Sequence, residues 1–317
     1  MSRTKVVVLG GFGFIGGHLS NYLFKQGYEV TIFGHPREPG NCQFPDSIRC
    51  VHGDFSDAES VKWAVAGSDI VFHLLGNSTP MSSSSIPQRD IEENLLPTLS
   101  LFEYCLQAGV KQLIFISSGG TVYGVPDYLP IDERHPTAPI CAYGINKLTT
   151  EHYMRLYSKM HGIDMSSIRL SNPYGPFQNI RRAQGIIGTY CENIVSNQSL
   201  QIWGDGSVVR DFIYIDDVVT ALEKVIGKAQ GYNVYNLGSG TGTSINELVS
   251  TLSRVTSREL EFSYLPGRDI DVPVNVLDIS KFKKDFGWDT KISLEDGMGF
   301  TLAWHQSRKR ENAHVRL

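Results

Sequence analysis

A glycine-rich loop near the N-terminus constrains the fold of this chain more than any other feature. The apolar run Lys5–Leu9 predicts a strand buried on both faces, and Gly10, Gly13 and Gly16 follow it with the spacing G-x-x-G-x-x-G. The first glycine allows a tight turn, the second lets backbone N–H groups approach a pyrophosphate, and the third lets a helix pack close to the strand. The loop therefore predicts a strand–turn–helix unit that binds a dinucleotide.

Other residues near this unit are predicted to contact the same cofactor. Phe14 and Ile15 open the predicted helix, whose N-terminus carries partial positive charge that favours phosphate. Asp54 and Phe55 follow another predicted strand, and Asp54 could accept a hydrogen bond from an adenine amine. A turn or helix-capping aspartate is the alternative for that residue.

Short apolar runs alternate with helical stretches along the first half of the chain. Beyond the first strand, further strands are predicted at Glu29–Phe33, Ser47–His52, Asp69–Leu74, Gln112–Ser117 and Asp164–Leu170. Helices are predicted at Asp90–Ala108 and Tyr143–His161, and Gly76–Gln88 predicts a polar loop with a flexible tip at Ser82–Ser85. The succession predicts an α/β fold with a doubly wound, Rossmann-like parallel sheet.

The second half of the chain is richer in Pro, Gly and Asn, and Asn172–Pro176 predicts a loop rather than a regular element. We expect a dinucleotide-binding domain over residues 1–170, to which residues 211–238 return. A smaller, discontinuous substrate-binding region is expected over residues 171–210 and 239–317. It would lie over the carboxyl edge of the sheet, where ligands bind in open α/β sheets.

Composition excludes several classes of protein. A net charge of -4 gives no support for a protein whose main task is to coat nucleic acid. The five cysteines are scattered and lack metal-ligand spacing, so we expect reduced thiols and no metal site. No signal peptide is recognisable, and no apolar run approaches the roughly 20 residues of a membrane span. A cytoplasmic protein without a membrane or nucleic-acid partner is expected.

Tyr143 and Lys147 form the candidate acid–base pair. They are four residues apart at the start of a predicted helix, which places both side chains on one face about one turn apart. A tyrosine with a reference pKa of about 10 is a poor base at neutral pH. A nearby ammonium group and the positive ring of an oxidised nicotinamide would both lower that pKa. Tyr143 could then take a proton from a hydroxyl while hydride leaves to the cofactor.

The glycine loop, the Tyr-x-x-x-Lys pair and the segment Ser117–Gly124 together resemble the extended short-chain dehydrogenase/reductases. Within these, the chain looks most like the UDP-hexose 4-epimerases, and the likeness runs to Asp278–Lys281 and beyond. The resemblance implies that an NAD or NADP cofactor and a nucleotide-diphosphate sugar bind. It also implies that Tyr143 and Lys147 contact the cofactor.

In the family, a Ser or Thr at the end of the strand before Val122 hydrogen-bonds the reacting oxygen. Many relatives carry this hydroxyl where Gly119 stands here. A looser turn through the glycines would let Ser118 serve instead, and we predict that it does. Ser117 and Thr121 are the alternatives.

The resemblance also implies further binding residues. Asn94 matches a family asparagine near the nicotinamide, and Asn172 matches one that contacts a nucleotide diphosphate. Arg210 and Arg268 match phosphate-binding arginines of the family, and the guanidinium fork suits a diphosphate. A surface arginine paired with its neighbouring aspartate is the alternative for each.

A homodimer is expected as well. Family resemblance implies an intersubunit four-helix bundle built from the helices near Asp90–Ala108 and Tyr143–His161. The second of these has more apolar surface than one contact with the sheet requires. The residues concerned are Leu148, Tyr153, Leu156, Tyr157 and Met160.

The end of the second predicted strand favours NADP over NAD. NAD-dependent members usually end this strand with an acidic residue that binds both ribose hydroxyls. Here the strand ends at Gly34, and Arg37 follows three residues later. A carboxylate would repel a 2′-phosphate, whereas Arg37 could bind it. The alternative is that Gly34 only shapes a turn, Arg37 points to solvent and NAD binds through other groups.

Three functions remain open from the sequence. The first is a redox-neutral 4-epimerase of a nucleotide sugar, and the second is an NADPH-consuming reductase of a nucleotide-linked 4-keto-6-deoxysugar. The third, a non-catalytic nucleotide-sensing protein, is disfavoured by the intact Tyr143 and Lys147. A 4,6-dehydratase is disfavoured because Gly119, Gly120 and Thr121 stand where such enzymes place an Asp-Glu pair.

Overall fold

The computed structural model describes residues 3–35, 43–76, 78–179, 185–267 and 272–314 of the chain. The strands are β1 (Lys5–Leu9), β2 (Glu29–Gly34), β3 (Arg49–His52), β4 (Ile70–His73), β5 (Gln112–Ser118), β6 (Asp164–Leu170), β7 (Asn172–Tyr174), β8 (Leu200–Trp203), β9 (Val209–Tyr214), β10 (Tyr232–Leu237), β11 (Gly242–Ser244), β12 (Phe262–Leu265) and β13 (Val274–Asn275). The helices are α1 (Phe14–Lys25), α2 (Ala58–Val65), α3 (Pro80–Ser85), α4 (Pro87–Asp90), α5 (Leu96–Ala108), α6 (Ala142–His161), α7 (Ile186–Val195), α8 (Ile215–Val225), α9 (Ile245–Thr256), α10 (Ser280–Phe286) and α11 (Leu294–His314). A π-helical turn, Ile91–Leu95, joins α4 to α5.

The central sheet has seven parallel strands in the order β10-β6-β5-β4-β1-β2-β3. The chain runs outward from β1 through β2 to β3, then returns to β4 on the other side of β1. The carboxyl ends of β1 and β4 therefore flank the point where the strand order reverses, which is where open α/β sheets bind ligands. This arrangement confirms the predicted doubly wound parallel sheet.

Alternation along β1 divides the core into two layers. Val6 and Val8 pack into one apolar cluster with Leu19 of α1, and Val7 and Leu9 pack into a second cluster on the opposite face. The period of two along a strand produces this division. Helices α1 and α8 cover the first face, and α2, α5 and α6 cover the second.

Two stretches that were predicted to be loops contain regular structure. Asn172–Tyr174 forms β7, which pairs with β9 in a smaller four-stranded sheet that also contains β11 and β13. Helix α3 forms within the predicted polar loop, and four of its six residues are the serines of the predicted flexible tip. Thr79 caps α3 and Pro80 occupies its first turn, and both residues favour a helix start.

The later part of the chain divides between the two sheets. Strand β10 forms an edge of the seven-stranded sheet, whereas β9 lies in the smaller sheet with β7. Residues 211–214 thus lie in β9 of the smaller sheet, and the division into two domains stays a prediction. In the described part of the chain, none of the helices combines the length and apolar character needed to cross a bilayer.

Candidate active site

The glycine loop forms a tight turn between β1 and α1. Gly10 has a φ of +87°, in the left-handed region that favours glycine, and a Cβ there would lie 3.1 Å from the backbone carbon of Leu74. A Cβ on Gly16 would collide with the carbonyl oxygen of Gly10. Gly13 is the N-cap of α1 and supplies no side-chain cap, so N–H groups of the first turn, where Phe14 and Ile15 lie, are open to a phosphate.

Two pockets adjoin along the carboxyl edge of the sheet. The nucleotide pocket, of about 360 Å³, is lined by Gly10, Phe12, Gly13, Gly34 and His35. The tyrosine pocket, of about 320 Å³, is lined by residues that include Asp90, Asn94, Phe115, Tyr143 and Lys147. Leu75 and Gly76 line both pockets. A dinucleotide has the extended shape needed to occupy the two together.

Tyr143 lies in the first turn of α6, and Lys147 follows one turn later. The Lys147 ammonium donates to the carbonyl of Ile116 at 2.8 Å, 4.4 Å from the Phe115 ring centre and 5.5 Å from that of Tyr143. Burial lowers the pKa of Lys147 to about 8. Burial, aided by the nearby Cys141 and Asp90, raises the pKa of Tyr143 to about 12. Lys147 alone therefore does not make Tyr143 a base, and further positive charge is needed in the pocket.

The hydroxyl groups at the end of β5 have different surroundings. Ser117 is buried and donates to Glu151 at 2.5 Å, while Glu151 forms a buried ion pair with Arg169 at 2.6 Å. Ser118 is half-buried at the last position of the strand. The Thr121 hydroxyl is buried and has no hydrogen-bond partner among the described residues. Ser117 is thus committed to an internal contact, which leaves Ser118 and Thr121 as the candidates.

Gly119 is closely packed by its neighbours. A Cβ there would lie 2.6 Å from Leu277 Cδ1 and 3.1 Å from the carbonyl oxygen of Arg169. The backbone of Gly119 is also held by Asn275, whose amide donates to its carbonyl at 3.1 Å. A hydroxyl-bearing side chain at this position would therefore require the Leu277 side chain to shift and the backbone at Arg169 to give by a few tenths of an ångström.

Asp54 is exposed, and its carboxylate accepts several hydrogen bonds. Its carboxylate accepts from the Ser56 hydroxyl at 2.6 Å and from the Ser56 backbone at 2.8 Å, and it lies 3.3 Å from His35 Nε2. These contacts, with the Ser56 hydroxyl as the largest, hold the pKa of Asp54 below its usual range. Phe55 packs against His73 with ring centres 5.2 Å apart. An ionised Asp54 beside the nucleotide pocket fits an acceptor for adenine and also fits a simple turn aspartate.

Asn94 lies in the π-helical turn, a rare form often found at functional sites. Its side-chain amide donates to Asp90 at 2.7 Å and to Ser78 at 3.4 Å. Asn146 of α6 donates to the same carboxylate. Sequence reasoning did not identify Asp90, Asn146 or Ser78, although an aspartate one helical turn before a singled-out asparagine was a usable signal.

His73 lies at the floor of the tyrosine pocket. Thr98 donates to the carbonyl of Asn94 at 2.6 Å, so its oxygen must accept the proton of His73 Nε2, 2.9 Å away. His73 Nδ1 then carries no proton and can only accept a hydrogen bond, and it has no partner among the described residues. Burial lowers the pKa of His73 to about 3, which keeps the ring neutral.

The predicted substrate residues are only partly within the described structure. Asn172 donates to the backbone carbonyl of Asp211 at 3.0 Å. The Arg210 guanidinium donates to the carbonyl of Val272 at 2.6 Å and to that of Val209 at 2.9 Å. Because β7 pairs with β9, Asn172 and Arg210 lie close in the smaller sheet. Arg268 and Arg37 lie outside the described residues.

A serine from a distant helix caps the helix that carries Tyr143 and Lys147. The backbone N–H of Tyr143 donates to the Ser83 hydroxyl at 2.9 Å, and that of Ala142 lies 3.5 Å from the Ser84 hydroxyl. Cys141, the N-cap of α6, contributes no side-chain hydrogen bond. Helix α3 therefore fixes the position of the first turn of α6.

The parallel sheet, the glycine turn and the Tyr-Lys pair beside a shared pocket define a short-chain dehydrogenase/reductase of the extended type. Residues 6–238 match the NAD dependent epimerase/dehydratase family. This match covers most of the chain, and the protein belongs to that family.

Individual relatives cover almost the whole chain. A UDP-glucose 4-epimerase of Mycolicibacterium smegmatis is 29% identical over 312 residues, which span 96% of this chain and 100% of that protein. A dTDP-4-dehydro-6-deoxyglucose reductase of Escherichia coli is 28% identical, spanning 93% of this chain and 96% of that one. The crystal structure of a UDP-glucose 4-epimerase of Thermotoga maritima with UDP-glucose is 32% identical. Its TM-score is 0.92, with 96% of this chain and 100% of that chain covered.

Proposed function

We propose that this protein is a UDP-sugar 4-epimerase that works through a transient 4-keto sugar. The observation that carries the proposal is the placement of Tyr143 and Lys147 in a pocket that adjoins the nucleotide pocket and shares Leu75 and Gly76 with it. This arrangement lets one dinucleotide reach both the glycine turn and the tyrosine. The epimerases among its relatives, similar along nearly the whole chain, supply the reaction class.

The residues around the two pockets fit an NAD(P) cofactor. The glycine turn leaves a cradle that side chains would fill, and Asn94 and Lys147 line the adjoining pocket. We propose that Gly10, Gly13, Gly16, Phe14 and Ile15 hold the pyrophosphate region. Asp54 and Phe55 are proposed to contact the adenine side. The bound nicotinamide supplies hydride acceptance and, when oxidised, positive charge.

In the proposed reaction Tyr143 takes the proton of the sugar 4-hydroxyl as hydride leaves C4. The positive charge of the oxidised ring, together with Lys147, would bring the pKa of Tyr143 down from about 12. Ser118 hydrogen-bonds the same oxygen and keeps it aligned. Once the 4-keto sugar presents its other face and C4 is reduced again, Tyr143 would give its proton back to the same oxygen. The reaction has no net oxidation.

Substrate binding is assigned to the smaller sheet and its neighbours. Asn172, Arg210 and Arg268 are proposed to bind the nucleotide diphosphate of the substrate. The guanidinium of Arg210 already donates to two backbone carbonyls, including that of Val272. It is therefore held in place at the smaller sheet, and the guanidinium fork is suited to a phosphate.

The direct test is interconversion of UDP-glucose and UDP-galactose, followed by proton NMR without added reduced cofactor. We expect the wild-type protein to reach the same mixture from either sugar. Tyr143→Phe should lower turnover by roughly 10² to 10⁴-fold and leave cofactor binding intact. Tyr153→Phe, an exposed tyrosine ten residues along the same helix, is the matched control and should keep full activity. More than about a tenth of wild-type turnover in Tyr143→Phe would rule out its assigned role.

The reductase is the second candidate, favoured by the similarity to the Escherichia coli reductase. It uses the same Tyr143 and Lys147 but consumes one reduced cofactor for each sugar. Stoichiometric NADPH oxidation in the presence of dTDP-4-dehydro-6-deoxyglucose, together with no interconversion of UDP-sugars, would replace the epimerase with this function.

The preference for NADP stays a prediction, and the family description names NAD. It is supported by Gly34, which ends β2 at a φ of +142°, a conformation that disfavours an acidic side chain. Calorimetry with both cofactors decides the preference: we expect NADP(H) to bind at least as tightly as NAD(H). Arg37→Ala should weaken NADP(H) selectively. A tenfold preference for NAD, about 1.4 kcal/mol, would contradict the prediction.

We also propose that the protein forms a homodimer. Helix α6 exposes a stripe of apolar side chains at helical spacing, and Leu96 of α5 is exposed as well. A stripe of this kind is typical of a helix that packs against a partner. Its members are Ile145, Tyr153, Leu156 and Met160.

A further inference from the structure

Asp90 is at the centre of a hydrogen-bonded network at the floor of the tyrosine pocket. Its side chain is almost fully buried, with 4% of the residue exposed. One carboxylate oxygen accepts from Asn94 at 2.7 Å and the other from Asn146 at 2.5 Å. Asn94 belongs to the π-helical turn and Asn146 to α6. The carboxylate therefore joins the turn to the helix that carries Tyr143 and Lys147.

The charge of Asp90 is not neutralised by its hydrogen-bond partners. Both donors are neutral amides, and within the described ranges of the chain Asp90 forms no ion pair. Glu151, the other buried carboxylate near the pair, differs because Arg169 neutralises it. A buried carboxylate without a cation is costly. Its presence here calls for a function.

Lys147 is the corresponding buried cation. Its ammonium donates to the neutral carbonyl of Ile116, and burial lowers its pKa, whereas the charges of Asp90 and Glu151 raise it. The other titratable groups of the pocket do not oppose Asp90: His73 and Tyr143 are neutral at pH 7. With Glu151 already paired to Arg169, the unpaired negative charge that favours the ammonium form comes from Asp90.

We propose that Asp90 is a positioning residue of this site. Its buried carboxylate orients Asn94 and Asn146 and keeps the Lys147 ammonium charged beside Tyr143. The importance of that charge for turnover rests on the proposed function. The protonation state of Lys147 can nevertheless be measured in the absence of any reaction.

The test is a pH titration of Lys147 by NMR in the full chain, with lysines labelled with ¹³C at Cε. Loss of one signal in Lys147→Arg assigns the resonance. In Asp90→Asn, which preserves size and removes charge, the pKa of Lys147 should fall by about one unit or more. Glu92→Gln removes an exposed carboxylate two residues away and should leave the pKa unchanged. Asn146→Ala keeps the charge of Asp90 and should leave the pKa near the wild-type value.

The possible outcomes separate this proposal from the proposed function. An unchanged Lys147 pKa in folded Asp90→Asn overturns the role of Asp90, whatever the activity. A lowered pKa in a protein whose wild type does not interconvert UDP-sugars upholds that role and overturns only the function. In an active enzyme, the alkaline limb of the kcat profile should shift by the same amount as the pKa. Asp90→Ser, smaller and neutral, should show the same fall and replaces Asp90→Asn if the latter does not fold.

Discussion

The ammonium group of Lys147 lies beside the Phe115 ring and has a carbonyl rather than a carboxylate as its hydrogen-bond partner. A lysine whose pKa falls to about 8 from 10.5 makes the folded state less stable at neutral pH. The side chain that the proposed reaction needs is thus unfavourable for the stability of the fold. Such conflicts are common at functional sites.

Replacement of this lysine should therefore stabilise the protein. We expect Lys147→Met to abolish turnover and to raise the free energy of unfolding by about 2 kcal/mol at pH 7, because the desolvation cost disappears and one hydrogen bond is lost. The folded state disfavours the charged form, so the gain should be complete below pH 8 and shrink as the pH rises above 8. Urea unfolding at several pH values measures it. A destabilised Lys147→Met at pH 7 would contradict this account.

Substitutions of the two serines at the end of β5 should have different effects, one on catalysis and the other on stability. Ser118→Ala should lower kcat by roughly 10²-fold with little change in melting temperature, because it removes the proposed donor to the reacting oxygen. Ser117→Ala should instead destabilise the protein by about 1–3 kcal/mol, since Glu151 loses a buried donor. Steady-state kinetics and thermal unfolding of the two variants distinguish these effects. The opposite pattern would move the assisting role to Ser117.

At the scale of elements, the junction between α3 and α6 links a serine-rich segment to the proposed acid–base pair. Ser83→Ala removes the hydroxyl that accepts from the Tyr143 backbone, and we expect a loss of about 1 kcal/mol of stability together with reduced turnover. Ser85→Ala, an exposed residue of the same helix, is the control and should behave as wild type. Scanning calorimetry and kinetics test the pair. Equal effects in both variants would exclude a specific capping role.

The sequence was most informative where local pattern decides structure. The bounds predicted for β1 and β6 agree with the structure, and α6 begins one residue earlier than expected, because apolar runs and helical periodicity are local signals. Helix α3 was missed because its serines are typical of loops. The π-helical turn was missed because a period of 3.6 fits the flanking residues equally well.

The candidate site could be predicted from the sequence to about the same degree as the fold. The glycine loop and the Tyr-Lys pair are fixed by spacing along the chain, so they could be identified from the sequence. The contacts of Ser83 with Tyr143, and of Asp90 with Asn146, join residues 60 and 56 positions apart. No local pattern encodes such pairs. The complete set of hydrogen-bond partners at the site could therefore be identified only from the structure.

At the scale of the whole molecule, the exposed stripe on α6 predicts a dimer. Light scattering at micromolar concentration should report twice the chain mass of 35.3 kDa. Leu156→Asp combined with Met160→Asp should yield the single-chain mass, because two charges would be buried in the interface. Val125→Asp, exposed outside α6, should remain dimeric. A wild-type protein at the single-chain mass would refute the dimer.

The pairing of β10 with β6 has a consequence for how the chain acquires its fold. The two strands run side by side, yet residues 171–231 separate them in sequence. During synthesis the first six strands of the central sheet emerge well before the seventh, so β6 waits with an unpaired edge until residue 237 has left the ribosome. Non-local parallel pairing is slow to form because a long segment must be closed first. We therefore expect the newly made chain to be most prone to aggregation at β6. Until β10 is added, this strand forms the edge of the sheet opposite β3.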